Sequence, residues 1–300
     1  MAHIVITGHG YTAVTAALQL KQLISDEDWI TVISSERFGV AKSVLPYVGM
    51  GLRPINEVRV ELKSLFRKFD LKYIFANIAE LHPKRRVVVT ETGQRVPFDY
   101  LVIADGMEPA WDHIPGLNRS HGMVHSTMDA DEAMRTDLEF RDFLLSPGPL
   151  TVACAPGSND LQSVYQYVLS VDYLLRRYRL RDKVPIRFVT AEPFLGHLGI
   201  GGIGESNRLF EGVFRSRQIH WICNAAIDRV DEKAFHIVYF DEDGVQRGRK
   251  EVETRFGVIW PAMRASSYLT KVEGLTDQSG LIKTNKFLQS TLYRNIFAIG

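Results

Sequence analysis

Residues 3–13 constrain this chain more than any other stretch. His3-Ile4-Val5-Ile6-Thr7 is a short apolar run of the kind that forms a buried parallel strand. It leads directly into Gly8-His9-Gly10-Tyr11-Thr12-Ala13, and residues 14–24 follow with apolar side chains at helical spacing. Ser25-Asp26-Glu27-Asp28 breaks that pattern, and Trp29-Ile30-Thr31-Val32-Ile33 reads as a second buried strand. Strand, glycine turn, helix and strand within about 30 residues make a βαβ unit. In such a unit Gly8 permits the tight turn, and Gly10 lets the backbone approach a pyrophosphate. Ala13 keeps the third position small enough for helix to meet sheet. The helix N-terminus then presents free N–H groups and the positive end of its dipole to phosphates. Glu36, just past the second strand, stands where a carboxylate reads a ribose. The unit is expected to bind a dinucleotide, and FAD is the one expected here.

The rest of the chain extends this plan. Residues 38–53 show no period and much Gly and Pro, and read as a long loop. Residues 57–69 read as a helix and residues 72–75 as a strand. Glu91-Thr92-Gly93 is a hairpin turn between two apolar runs. Tyr100-Leu101-Val102-Ile103-Ala104 is another buried strand, followed at once by Asp105-Gly106. After the linker Pro147-Gly148-Pro149, residues 150–154, 161–179 and 186–190 repeat strand, helix and strand. The helix carries a stripe of Tyr165, Tyr167 and Tyr173 that reads as core. Its turn, Ala155-Pro156-Gly157-Ser158-Asn159-Asp160, lacks the first glycine and adds a proline and a negative charge. This half is therefore expected to bind NAD(P)H poorly. Strands are expected at residues 235–240, 254–260 and 295–299.

Composition narrows the function classes. A formal net charge of +1 over 300 residues gives no electrostatic footprint for nucleic acid. The densest basic run, Arg176 to Arg181, reads as the exposed end of a helix. Two cysteines, Cys154 and Cys223, make neither a disulfide framework nor a metal motif, so no metal is expected. Both read as small core residues. No apolar run reaches the 18 or so residues of a spanning helix. No signal peptide precedes the first strand, and a cytoplasmic location is the default expectation.

Several segments together resemble the sulfide:quinone oxidoreductases. They are Pro46-Tyr47-Val48-Gly49-Met50-Gly51, Arg181-Asp182-Lys183-Val184-Pro185 and the long stretch from Ala191 to Ser206, with Phe194-Leu195-Gly196-His197-Leu198-Gly199 at its centre. Phe256-Gly257-Val258-Ile259-Trp260-Pro261-Ala262 and Asn295-Ile296-Phe297-Ala298-Ile299-Gly300 complete the set. The resemblance implies an α/β protein with two interleaved Rossmann-like domains, the glutathione-reductase-like FAD/NAD(P) fold. Residues 1–148 would form the first part of the FAD domain. Residues 149–275 would form a second, NAD-like domain with a degenerate nucleotide loop, and residues 276–300 would return to the FAD domain. It implies FAD held by Gly8, Gly10, Tyr11, Thr12, Ser34, Glu36, Pro46, Ile78, Ala104, Gly106 and Gly300. It further implies electrons passing from a sulfur donor through flavin to a quinone, peripheral contact with a membrane, and association into homo-oligomers.

The departures from the family pattern are specific. Met128 aligns with the first active cysteine and Asp160 with the second, so neither can hold bridging sulfur. Those two positions and His197 are the candidate catalytic residues, with His197 open to reading as a proton donor or acceptor or as a structural histidine. The usual Ala-Thr-Gly step reads Ala104-Asp105-Gly106, where the carboxylate either bonds locally or repels a pyrophosphate. Met263 stands near the family's quinone-side phenylalanine. The family pattern continues beyond the position of Gly300 with an aspartate for FAD, a third cysteine and membrane-docking helices, which would weaken FAD retention and quinone anchoring if absent. Two other readings stay open: a type II NAD(P)H:quinone reductase-like flavoprotein and a non-catalytic flavoprotein scaffold.

Overall fold

A computed structural model describes residues 1–117 and 122–300. They form two compact units. The first comprises residues 1–42, 56–108 and 264–300, and the second residues 43–55 and 109–263. These limits are not the linear ones at 148 and 275, because core packing assigns the intervening segments. Ile114, Leu117 and Met123 pack into a core of the second unit, and Tyr268, Leu269 and Leu275 into a core of the first.

The first unit is built on a five-stranded parallel sheet. Its order is Ile296–Ala298, Tyr100–Ile103, β1 (His3–Thr7), β2 (Trp29–Ser34) and Lys72–Phe75. Side chains alternate between its faces, as a strand's period of two requires. Ile6 of β1 packs with Ala13 and Ala17 of α1 (Tyr11–Leu23), whereas Val5 packs with Leu81, Val88 and Leu269. Both faces are covered, which is why these strands read as continuous apolar runs. The predicted hairpin is present as Val87–Thr90 paired with Arg95–Pro97.

Two local expectations fail for the same reason. Residues 57–69 are not one helix: Arg59–Glu61 is a strand paired with Phe38–Val40, and the helix is only Leu62–Lys68. Val58 and Val60 favour extended backbone, and a partner about 20 residues upstream overrides the local helical pattern. Arg37 secures that pairing through its guanidinium, 2.8 Å from Glu61 Oε1. The loop read over residues 38–53 accordingly holds a short strand and a short helix, Leu45–Val48.

The second unit has its own five-stranded parallel sheet. The order is Val124–His125, Phe256–Trp260, Leu150–Cys154, Ile186–Thr190 and Ile219–Ile222. An antiparallel sheet of Ala225–Val230, Ala234–Phe240 and Gln246–Glu253 accompanies it. Helix Leu161–Arg177 buries Tyr165 and Tyr167, but Tyr173 points outward, 57% exposed, so the tyrosine stripe is shorter than read.

The basic run at the end of that helix is not simply a solvated face. Arg181 is buried, and its Nε lies 2.6 Å from Oδ1 of the fully buried Asp172. Arg176 and Arg217 hold the other carboxylate oxygen at 3.0 and 2.8 Å. Arg181 also donates to the carbonyls of Val184, Arg217 and Gln218. The group ties the helix end to the strand that follows and to the end of helix Ser206–Ser216.

Candidate functional site

The glycine turn adopts the geometry that its residues predict. Gly8 has φ +115°, and a Cβ there would lie 2.3 Å from the Ala104 carbonyl oxygen. No side chain fits, so the sequence needs glycine there to let β1 turn beneath the strand Tyr100–Ile103. Gly8 N–H donates to Ile33 O and Ala104 N–H to Thr7 O, both at 3.0 Å, which locks the turn to its neighbours. Gly10 differs: its φ is −73°, and a Cβ there would meet nothing within 4 Å. Gly10 is the N-cap of α1, and no side chain caps the helix, so its first N–H groups have no side-chain acceptor. That is the arrangement an anionic group needs.

Most of the other expected FAD contacts gather in this unit. Gly8, Ser34 and Ile78 line one cleft of about 270 Å³, together with His9, Asn77, Glu91, Asp105, Glu108 and Tyr268. Glu36 has its backbone pinned: its N–H donates to Ser34 Oγ at 2.9 Å, and Tyr73 Oη donates to its carbonyl at 2.6 Å. Tyr11 is exposed at the first turn of α1. Gly300, with φ +109°, comes beside Thr12, whose Oγ1 would lie 3.5 Å from a Cβ on it. Ala104 and Gly106 flank Asp105, and Gly106 has φ +68° with open space beside it. Pro46 sits in the short helix Leu45–Val48, which belongs to the second unit. The residues of the first unit fit the ADP half of FAD: an uncapped helix start, a glycine whose open side admits a phosphate, and a carboxylate beyond β2.

The cleft carries acids and no lysine or arginine among its described lining residues. Burial and the nearby Lys42 charge lower His9 to about 4, so it is neutral at pH 7. Asp105 bonds locally, as one of the two sequence readings had it. Its Oδ2 accepts from Thr7 Oγ1 at 2.9 Å and from the Tyr268 hydroxyl in a short contact. Burial raises the Asp105 carboxyl above the ordinary range, against the lowering effect of these two hydrogen bonds. Tyr268 is the residue that sequence reasoning missed. It lies in a short polar segment with no motif, 163 residues from its partner.

The candidate catalytic residues lie in the second unit, in separate structural roles. Met128 is buried in the core beside Phe140 and Phe143. Asp160 caps helix Leu161–Arg177, accepting from Ser163 N–H at 3.3 Å. The helix start that would meet a second nucleotide is thereby met by its own carboxylate. His197 stands on a turn, edge-on to Phe194 with ring centroids 5.2 Å apart. Its loop is anchored by Glu192, a buried carboxylate that accepts from Leu198 N–H at 2.7 Å, Tyr165 Oη at 2.8 Å and Thr190 Oγ1 at 3.0 Å. Gly196 must be glycine there, since a Cβ would lie 2.7 Å from the Phe210 ring.

The cysteines read as core residues, and the structure places both in or against it. Cys154 is fully buried and Cys223 half-buried. Burial pushes each thiol up to about 12. Cys154 is in register with Thr190, and Cys223 follows Ile222 on the strand beyond. Two inter-strand spacings, about 9.6 Å, separate them, too far for a disulfide. Among the described residues no group of His, Cys, Asp and Glu could hold a metal ion, and no helix is long and apolar enough to cross a membrane.

No protein-family model matches the chain. It is 29% identical to the sulfide-quinone reductase of Aquifex aeolicus over 300 residues, 99% of this chain and 67% of that protein. It is 27% identical to the mitochondrial sulfide:quinone oxidoreductase of Schizosaccharomyces pombe, over 84% of this chain and 54% of that one. The chain thus spans between about half and two thirds of these relatives' length. The crystal structure of the Aquifex aeolicus sulfide:quinone oxidoreductase superposes with a TM-score of 0.92 at 28% identity, covering 100% of this chain and 68% of that one. NDH2 of Plasmodium falciparum, solved with NADH, shares the fold alone, with a TM-score of 0.75 at 16% identity over 100% of this chain and 64% of that one. In sequence and fold the chain is similar to the sulfide:quinone oxidoreductases over nearly its whole length, and its fold is that of the FAD- and NAD(P)-dependent oxidoreductases.

Proposed function

We propose that the chain is an FAD-dependent oxidoreductase that carries electrons from a reduced donor, a sulfur compound by likeness to its relatives, through flavin to a quinone. The observation that carries this reading is the uncapped start of α1 behind the Gly8 turn, opening beside a cleft that fits the ADP half of FAD. FAD, when bound, supplies the two-electron acceptor and donor. The residues of the first unit would bind and orient it: Gly10 and the first turn of α1 would meet the pyrophosphate, and Glu36 would meet the ribose. Met128 and Asp160 leave the aligned cysteine positions without sulfur chemistry. A nucleophilic thiolate needs a lowered pKa, whereas both thiols here are raised. Within these 300 residues, any sulfur chemistry proceeds without a cysteine relay.

The NAD(P)H-dependent alternative is disfavoured by the Asp160 cap, which occupies the helix start that a second nucleotide would need. The two readings separate when sulfide or NADH is added without oxygen to the FAD-loaded protein and the visible flavin band is followed. The expected result is slow bleaching by sulfide, unchanged by Cys154→Ser or Cys223→Ser, and none by micromolar NADH. Fast bleaching by NADH would establish the alternative. Fast bleaching by sulfide would show that the replaced cysteines are dispensable, and no bleaching by either donor would leave the scaffold reading.

Gly10→Ala separates binding from folding. Nothing in the protein meets the added methyl, and φ −73° suits alanine. The melting temperature is expected to stay within about 2 °C of wild type, since surface changes without a structural cost fall within about 0.5 kcal/mol. The methyl stands where a phosphate must approach, so FAD affinity is expected to fall at least about tenfold. Fluorescence titration with parallel thermal melts checks both.

A further inference from the structure

Asp105 stands where a bound dinucleotide would meet a carboxylate. A Cβ on Gly8 would lie 3.1 Å from Asp105 N, so this residue abuts the glycine of the phosphate turn. Its side chain lines the same cleft as Gly8. Both donors that reach the carboxyl, Thr7 Oγ1 and Tyr268 Oη, converge on Oδ2. Among the described residues, Oδ1 has no hydrogen-bond partner. An ionised carboxylate in that place would face a pyrophosphate with like charge, with no lysine or arginine among the described lining residues to compensate it.

The surrounding groups sharpen the conflict. From the β1–α1 turn comes His9, held neutral by burial and by Lys42. From the hairpin comes Glu91, paired with Asn77 Nδ2 at 3.0 Å. Glu108 accepts from Arg264 Nε at 3.2 Å, so that guanidinium is already engaged. Tyr268 and Thr7, the groups that touch Asp105 itself, are uncharged donors. Burial meanwhile favours the neutral acid. With Oδ2 accepting two hydrogen bonds, the proton of a neutral acid belongs on Oδ1, which then becomes a donor. A neutral carboxyl there is a one-donor group.

We propose that Asp105 binds the dinucleotide as a neutral acid, its outward oxygen donating a hydrogen bond to a pyrophosphate oxygen, so that FAD binding to the ionised protein takes up one proton from solvent. This inference rests on the FAD reading above. Binding selects the protonated carboxyl, so affinity is full at low pH and is lost as pH rises through the value that Asp105 has in the free protein. Asparagine is the decisive substitution, because it keeps an acceptor for Thr7 and Tyr268 and places a permanent N–H donor toward the cleft.

The test is FAD titration by flavin fluorescence between pH 6 and 8.5, with ADP titrated calorimetrically over the same range. Wild-type affinity for both is expected to fall as pH rises, by up to about tenfold per unit. Asp105→Asn is expected to bind with no slope and to exceed wild type at high pH. Asp105→Ala, which lacks the donor, is expected to bind weakly and without a slope. Circular dichroism establishes that each variant is folded, and Tyr268→Phe, which removes one donor from Oδ2, gives a second perturbation that is expected to shift the midpoint of the slope. In two buffers of different ionisation enthalpy, the wild type is expected to show proton uptake and Asp105→Asn none. Tight FAD binding with no pH slope in the wild type overturns the role of Asp105 and leaves the FAD reading standing. So does a slope that Asp105→Asn retains. A slope for FAD but not for ADP overturns the assignment to the pyrophosphate. No FAD binding at any pH overturns both readings.

Discussion

Asp172→Ala is expected to lower stability by about 3–5 kcal/mol, the cost of leaving a buried charge without its partner. Arg181, itself buried, would lose its only carboxylate among the described residues while remaining fixed by the carbonyls of Val184, Arg217 and Gln218. Arg176 and Arg217 would lose theirs as well and are left to repel one another. The same geometry predicts a pH dependence. Burial works to raise the Asp172 carboxyl, but hydrogen bonds from Arg176, Arg217 and Arg181 outweigh it, and the net direction is down. A depressed carboxyl contributes stability above its unfolded-state value and loses it as pH falls through the folded-state value. Wild type should therefore lose stability in acid along a segment of the curve that Asp172→Ala lacks. Urea unfolding at neutral and acid pH checks both parts. A loss below about 1 kcal/mol at neutral pH would show that the arginines find other partners, as exposed pairs do.

Gly8→Ala carries the other large effect. The methyl would lie 2.3 and 2.7 Å from the carbonyl oxygen and carbon of Ala104, and 3.1 Å from Asp105 N. All three are backbone atoms in a hydrogen-bonded sheet, so no side chain can swing aside. A left-handed φ adds about 1–3 kcal/mol for a residue with a Cβ, and forcing apart packed backbone adds about as much again. The variant is expected to lose about 3 kcal/mol or more, and with it the turn that brings α1 to the phosphates. The contrast with Gly10→Ala is the informative part. Two glycines two residues apart are expected to respond differently, one mainly through folding and the other through binding.

What the sequence made legible follows from how local each requirement is. Gly8 and Gly10 stand out because their spacing between an apolar strand run and a helical run is a local motif, and the parallel strands because their apolar runs are buried on both faces. Those features could be read directly. Arg59–Glu61 could not, because its strand partner lies outside the local pattern and imposes extended backbone on a helix-like sequence. Arg181 looked like one more exposed cation in a basic run. Its burial depends on Asp172, one helix face and nine residues away, and on carbonyls at Arg217 and Gln218. Within the candidate site, the glycine turn, Ser34, Glu36 and Asp105 were visible as motif positions. Tyr268 was not, since only folding brings it to Asp105. The replaced cysteine positions were legible as departures, but their present roles as a core methionine and a helix cap appear only in the structure.

The central claim is that the first unit binds FAD through the Gly8–Gly10 turn. Its most direct test is titration of the flavin-free protein with FAD at pH 6.5, about two units below the top of the range used for Asp105, followed by flavin fluorescence and by co-elution of the visible band on gel filtration. The account predicts saturable binding of one FAD per chain, weakened in Gly10→Ala while that variant melts like wild type. Failure of wild type to retain FAD, or equal binding by Gly10→Ala, would contradict it.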